Sequence, residues 1–117
     1  MNSTIFDWDK IPTEPTKAGW TKRFFKSQTG TLDQMSIHVT TLNPGQSAHA
    51  PHQHPEEEII LLKEGRLDAF LNGQILPVTA GSVFFISPND LHGVTNNSDK
   101  PATYFVIKWF TPGMLGK

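Results

Sequence analysis

Apolar and polar positions alternate along most of this chain. Over residues 35–42 (MSIHVTTL), Met35, Ile37, Val39 and Thr41 fall on one face of an extended segment, and Ser36, His38, Thr40 and Leu42 on the other. The same period of two runs through residues 66–71 (RLDAFL) and 102–110 (ATYFVIKWF). Shorter apolar runs occupy residues 59–63 (IILLK) and 82–86 (SVFFI), and residues 20–26, 74–78 and 91–95 complete the set of expected strands. Turn chemistry separates them: Asn43-Pro44-Gly45, Glu64-Gly65, Asn72-Gly73, Ala80-Gly81 and Ser87-Pro88-Asn89-Asp90. Asn72-Gly73 is the strongest two-residue hairpin signal, because both residues tolerate positive φ. No window carries the three-to-four spacing of an amphipathic helix. Short strands between turns predict an all-β fold, a sandwich or barrel, over residues 31–112. Residues 1–30 are expected to form an N-terminal arm packing on that barrel or on a partner subunit, because Ile5, Phe6 and Trp8 are apolar; residues 113–117 read as a C-terminal tail.

Length and charge narrow the function classes. The 117 residues amount to one domain with enough chain for one core. Ten basic against eleven acidic residues, a net charge of -1, provide no field for nucleic acid or an anionic membrane. No apolar run is long enough to span a bilayer, and no basic-then-apolar leader opens the chain. With no cysteine there is neither a disulfide framework nor thiolate chemistry, and a cytoplasmic location is expected.

The candidate chemistry lies in Pro51-His52-Gln53-His54-Pro55-Glu56-Glu57-Glu58 and the distant His92. On a strand, His52 and His54 point to one face. Three imidazoles and the Glu58 carboxylate make a ligand set for one divalent transition metal ion, with Fe, Mn, Ni, Zn and Cu all admissible. Glu57 is the alternative carboxylate; Glu56 reads as solvated. His49 is a candidate near the mouth of such a site, whereas His38 reads as an ordinary strand histidine. Tyr104, Val106 and Lys108 share one face of the last strand, and Phe105, Ile107 and Trp109 the other. Periodicity does not say which set faces a pocket. Gln46, His49, Tyr104 and Lys108 are the candidate pocket residues, with Phe84 or Phe85 as a further wall.

The spacing resembles the cupin superfamily, in particular its small single-domain members. Gly45, His52-Gln53-His54, Glu58 and Gly65 follow that family's first motif, and Gly81, Pro88, His92 and Asn96 follow its second. The resemblance runs from about Thr31 to Phe110. It implies an antiparallel jelly-roll barrel with a metal inside, held by His52, His54, Glu58 and His92, and a homodimer. There are two departures. The spacer between Gly45 and His52 is one residue longer than usual, and Asn89-Asp90-Leu91 fills a span that commonly holds a glycine; Asn89 is expected to take the left-handed backbone in its place. The function implied is a metal-binding cupin acting on a small organic molecule. Dioxygenase-type chemistry is the leading class, with isomerase, decarboxylase or lyase work open; the alternative is a binding or sensing module without turnover.

Overall fold

The computed structural model describes residues 1–111; the tail expected over 113–117 lies outside them. One turn of 3-10 helix at Trp8–Lys10 precedes nine strands: β1 (Glu14–Thr16), β2 (Gly19–Ser27), β3 (Gln34–Leu42), β4 (Glu57–Glu64), β5 (Arg66–Leu71), β6 (Gln74–Thr79), β7 (Val83–Ile86), β8 (His92–Thr95) and β9 (Ala102–Phe110). Every pairing is antiparallel. One sheet has the order β1-β2-β3-β9-β4-β7 and the other β6-β5-β8. No helix of the described residues is long and apolar enough to cross a membrane.

The alternation seen in the sequence becomes two faces in each sheet. The inner faces meet in a core of Leu42, Ile60, Leu62, Leu67, Ala69 and Val94, with Val78, Ile86, Ala102, Tyr104 and Val106 around them. Strand register builds inward-facing rows across the larger sheet. Thr40 stands opposite Tyr104, and Tyr104 opposite Leu62; His38 stands opposite Val106, and Val106 opposite Ile60. A bulge between Arg23 and Phe25 lets Arg23 stay in register with His38.

Turn residues act as their chemistry requires. Asn72 (φ 46°) and Gly73 (φ 89°) close the two-residue hairpin between β5 and β6. Gly65 (φ 86°) joins β4 to β5 where a Cβ would come within 2.6 Å of the Pro101 carbonyl oxygen, so only glycine fits. Asn96 is fully buried; its side-chain amide donates to the Leu42 and Lys100 carbonyls at 2.9 and 2.7 Å, and its side-chain oxygen accepts from the backbone and hydroxyl of Ser98.

Within the first 27 residues, β1 and β2 form one edge of the larger sheet, and the segment before them packs on its outer face. The β2 strand lies within the stretch expected as an arm and pairs along β3, so the folded unit begins well before residue 31. Ahead of it, Phe6 stacks on Phe25 at 5.0 Å between ring centroids, and Trp8 lies against Trp20, Phe24 and Phe105. The Lys22 ammonium donates to the Trp8 carbonyl at 2.9 Å and sits 4.4 Å over its ring. Asn96→Ala is expected to cost about 2–4 kcal/mol in urea unfolding, since it removes the buried amide's bonds to the Leu42 and Lys100 carbonyls and the acceptor of Ser98, leaving Lys100 only the Ser98 hydroxyl. Asn97→Ala, which removes one exposed bond to Asp68, is expected to change stability by no more than about 0.5 kcal/mol.

Candidate metal centre

The histidine pair does not lie on a strand. Pro51 and Pro55 flank it, neither has an N–H to give a ladder, and β4 begins only at Glu57. The convergence expected from strand alternation arises instead from a loop laid along β8. His52 and His92 exchange backbone hydrogen bonds of 2.9 Å in both directions, an isolated antiparallel bridge. Asn89, at φ 64°, donates its N–H to the His54 carbonyl at 2.8 Å, so the turn before His92 positions the second imidazole of the pair. Gly93 permits this approach: a Cβ there would press on the Cα of Pro51 at 3.3 Å.

Donor nitrogens of His52, His54 and His92 all lie within 4.8 Å of one another. Glu58 arrives from β4 on the inward face; its Oε1 is 2.9 Å from His54 Nε2 and 3.6 Å from His92 Nε2. Glu57 turns the opposite way and accepts a hydrogen bond from Trp109 Nε1 at 3.1 Å, which removes it from the ligand set. The Asp90 carbonyl can only accept, so His92 Nδ1 is the protonated nitrogen of that 2.8 Å contact. In the neutral ring this leaves the lone pair on Nε2, which is buried and has no hydrogen-bond partner; Nδ1 of His54 is orphaned in the same way. Buried nitrogens without partners are rare, and here they belong to a cluster of imidazole and carboxylate donors suited to a transition metal. Two donors bound at right angles to one ion through bonds of about 2.1 Å lie about 3 Å apart, close to the spacing of Glu58 and His54. The residues present fit such an ion.

Electrostatics agree with that fit. Burial, followed by crowding from His49, His92 and His54, lowers the His52 pKa to about 4, so its ring is neutral and able to ligate at neutral pH. Burial would raise the Glu58 carboxyl, but the His92 and His54 rings outweigh it and hold it below the ordinary carboxylate value. For His92, burial pulls downward, and the Glu58 carboxylate and Asp90 carbonyl more than reverse it. Glu58 therefore remains an anion facing imidazoles.

A cavity of about 100 Å³ opens beside this cluster, with Thr40, His49, Tyr104, Val106 and Lys108 in its wall. The inward set of β9 is thus Tyr104, Val106 and Lys108. Burial pushes the Tyr104 phenol well above its usual pKa, so it stays protonated. Gln46 lines a neighbouring groove instead, sharing His38, Thr40 and Ala48 with the cavity. Phe84 packs on the core and Phe85 is half exposed on the outer face. His38, read in the sequence as an ordinary strand histidine, also lines the cavity. Burial, then the charges of Lys108 and Arg23, lower its pKa to about 4. Its place on the face shared with Thr40 was the available signal; only the β3–β9 register reveals that this face is the inner one.

Comparison with known proteins agrees with this architecture. The chain is 26% identical over 82 residues to L-ectoine synthase of Halomonas elongata, a match covering 69% of this chain and 57% of that protein. The chain thus spans little more than half the length of the curated relative it matches. Among solved structures, a sugar phosphate isomerase of the cupin superfamily from Silicibacter pomeroyi superposes with a TM-score of 0.73 at 21% identity, covering 93% of this chain and 77% of that one. An RmlC-like cupin from Shewanella frigidimarina gives 0.73 at 19% identity, covering 94% of each chain. A Cupin 2 conserved barrel domain protein from Salinispora arenicola gives 0.68 at 22%, covering 99% of this chain and 93% of that one. At these identities the superpositions show the fold alone. Residues 38–108, which span every residue of the histidine–carboxylate cluster, match the Cupin domain family, and the chain belongs to that family.

Proposed function

We propose that this chain binds one divalent transition metal ion through His52, His54, Glu58 and His92 and uses it to transform a small organic molecule. The observation that carries the reading is the buried, partnerless Nε2 of His92, which faces the same Glu58 carboxylate oxygen as His54 Nε2. The bound ion would supply Lewis acidity and open positions for substrate or O₂, with Fe, Mn, Ni, Zn and Cu all within the reach of this donor set. The chain's own groups do the rest. Glu58 lies 2.9 Å from His54, the Asp90 carbonyl fixes the His92 tautomer, and neutral His38 and protonated Tyr104 line the cavity wall as hydrogen-bonding groups rather than as charges. Dioxygenase-type chemistry is the first class to test. A relative that bears the name of a synthase for a small molecule supports small-molecule chemistry in general.

The same chain is proposed to work as a homodimer. On the outer face, Ile59 pairs with Phe85 and Leu61 with Val83 at the open β7 edge, and Leu61, Val83 and Phe85 are 37%, 56% and 50% exposed. A contiguous apolar block at a sheet edge is a surface that a second copy would cover.

Three outcomes are expected. His54→Ala and His92→Ala should each lose most of the bound metal in elemental analysis while keeping the β-sheet circular dichroism of the parent, because the core is apolar and independent of the ion. Oxygen uptake by the reconstituted parent with phenols, diketones and organic acids then tests the reaction class. A full equivalent of metal in both variants would overturn the ligand set.

His38 sets a pH dependence. Its folded pKa of about 4 lies below the ordinary 6.5, so between those values the unfolded chain binds the extra proton and acid favours unfolding. The metal-free parent should lose up to about 3 kcal/mol more stability than His38→Gln as pH falls from about 6.5 to 4. Parallel stability curves for the two would show that His38 titrates normally in the folded chain.

For assembly, sedimentation velocity at micromolar concentration should give a dimer for the parent and a monomer for Phe85→Lys. A parent of monomer mass would refute the dimer.

A further inference from the structure

We propose that the site selects small molecules bearing a carboxylate, which docks on the ammonium of Lys108 where the histidine cavity meets the groove beside it. The inference rests on the metal reading above and extends it to the substrate class.

Strand register places Lys108 directly across from Glu58 on β4 and from Ser36 on β3. Opposite charges so placed ordinarily pair. Here they do not: Glu58 is turned to His54 and His92, and Lys108 makes no ion pair within 4.0 Å among the described residues. Lys108 lines both the histidine cavity and an adjoining groove of about 230 Å³, so its side chain stands where the two meet. The other charged groups there do not neutralise it. Arg23 is engaged by Glu14 at 3.2 Å, Lys26 adds a further cation, and Glu56 is the one carboxylate lining that groove among the described residues. The wall next to the charges is apolar, formed by Ile37, Trp109 and Phe110, as a hydrocarbon skeleton requires.

Metal binding sharpens the preference. In the metal-free chain the charge of Glu58 offsets that of its cross-strand neighbour. An ion on Glu58 and three neutral imidazoles takes up that negative charge, and leaves both itself and Lys108 undercompensated in a half-buried pocket. Burying net positive charge is costly, and an anion placed between ion and ammonium relieves it. A carboxylate on Lys108 would also fix which atom of the substrate sits nearest the histidines.

The test uses the purified chain with and without Co(II), with L-lactate as the anionic probe, propane-1,2-diol as its neutral counterpart and inorganic phosphate as a second anion. Binding is read by calorimetry and metal content by elemental analysis. Lactate is expected to bind the metal-loaded parent at millimolar concentrations or better, and more tightly than the diol or phosphate. Lys108→Met should keep its metal and its circular dichroism, and lose about tenfold to a hundredfold in lactate affinity. Lys108→Arg, which keeps the charge, should retain most of it, and the metal-free parent should bind more weakly than the loaded one. Equal lactate affinity in parent and Lys108→Met, or no lactate binding to the metal-loaded parent, overturns the proposal. Phosphate binding as tight as lactate overturns the carboxylate assignment. A parent that takes up no Co(II) is a failure of the metal reading, visible in the elemental analysis before any anion is added.

Discussion

Everything at the site depends on a seam of backbone hydrogen bonds between the loop after β3 and the segment that leads through β8. Gly45 donates to Asn96 and Asn96 to Gln46; His52 and His92 bond each other in both directions; Asn89 donates to His54. The bridge of Ser47 to Thr95 lies in the same seam. Two stretches far apart in sequence thereby become neighbours without forming a regular ladder. The irregularity matters, because a regular strand would repeat every second residue along a straight line. A loop pinned at separate points can instead turn His52, His54 and His92 toward one another, with ring centroids 4.8 to 5.3 Å apart. The buried Asn96 amide locks the far end of the seam to β3 and to Lys100.

The larger sheet then contributes the charge that the seam lacks. Glu58 sits one residue inside β4 with its side chain inward, and the β4–β9 register sets it beside Lys108. A slip of β4 by one residue against β9 would present Glu57 to the imidazoles in place of Glu58, so the apolar packing of Ile60, Leu62 and Val106 also specifies the electrostatics. The result is a pocket in which one carboxylate is shared by two imidazoles and kept from the lysine across the strand. Neutral His52 and His38 avoid adding further positive charge to it.

Much of this was legible in the residues. The alternation at 35–42, 66–71 and 102–110 marks strands within a residue of their observed ends, and Asn72-Gly73 marks its hairpin. Asn89 takes the left-handed backbone that its side chain tolerates. The carboxylate and the imidazoles that converge are those the spacing of His52, His54, Glu58 and His92 singled out. Other features were beyond local pattern. Alternation defines two faces and is silent on which one is inner; that depends on Tyr104 and Val106 meeting Ile60 and Leu62 across strands. For the same reason His38 looked ordinary. The loop geometry of the histidine pair follows from Pro51 and Pro55, whose missing N–H groups prevent the ladder that alternation alone would suggest.

The two faces of the larger sheet divide the work. The inner face carries the polar rows that reach the cavity, while the first residues of the chain cover part of the outer face. Trp8 does this by packing on Phe24 and Phe105, with Lys22 and Lys63 over its ring. That cover ends before β7: Val83 and Phe85 remain exposed at the sheet edge. Glu58 belongs to the strand that spans both conditions, since its neighbours Ile59 and Leu61 pair with Phe85 and Val83 while its own side chain closes on the imidazoles. Anything that steadies the β4–β7 edge from outside therefore also steadies the carboxylate inside, because a strand cannot tilt its outer residues without moving its inner ones.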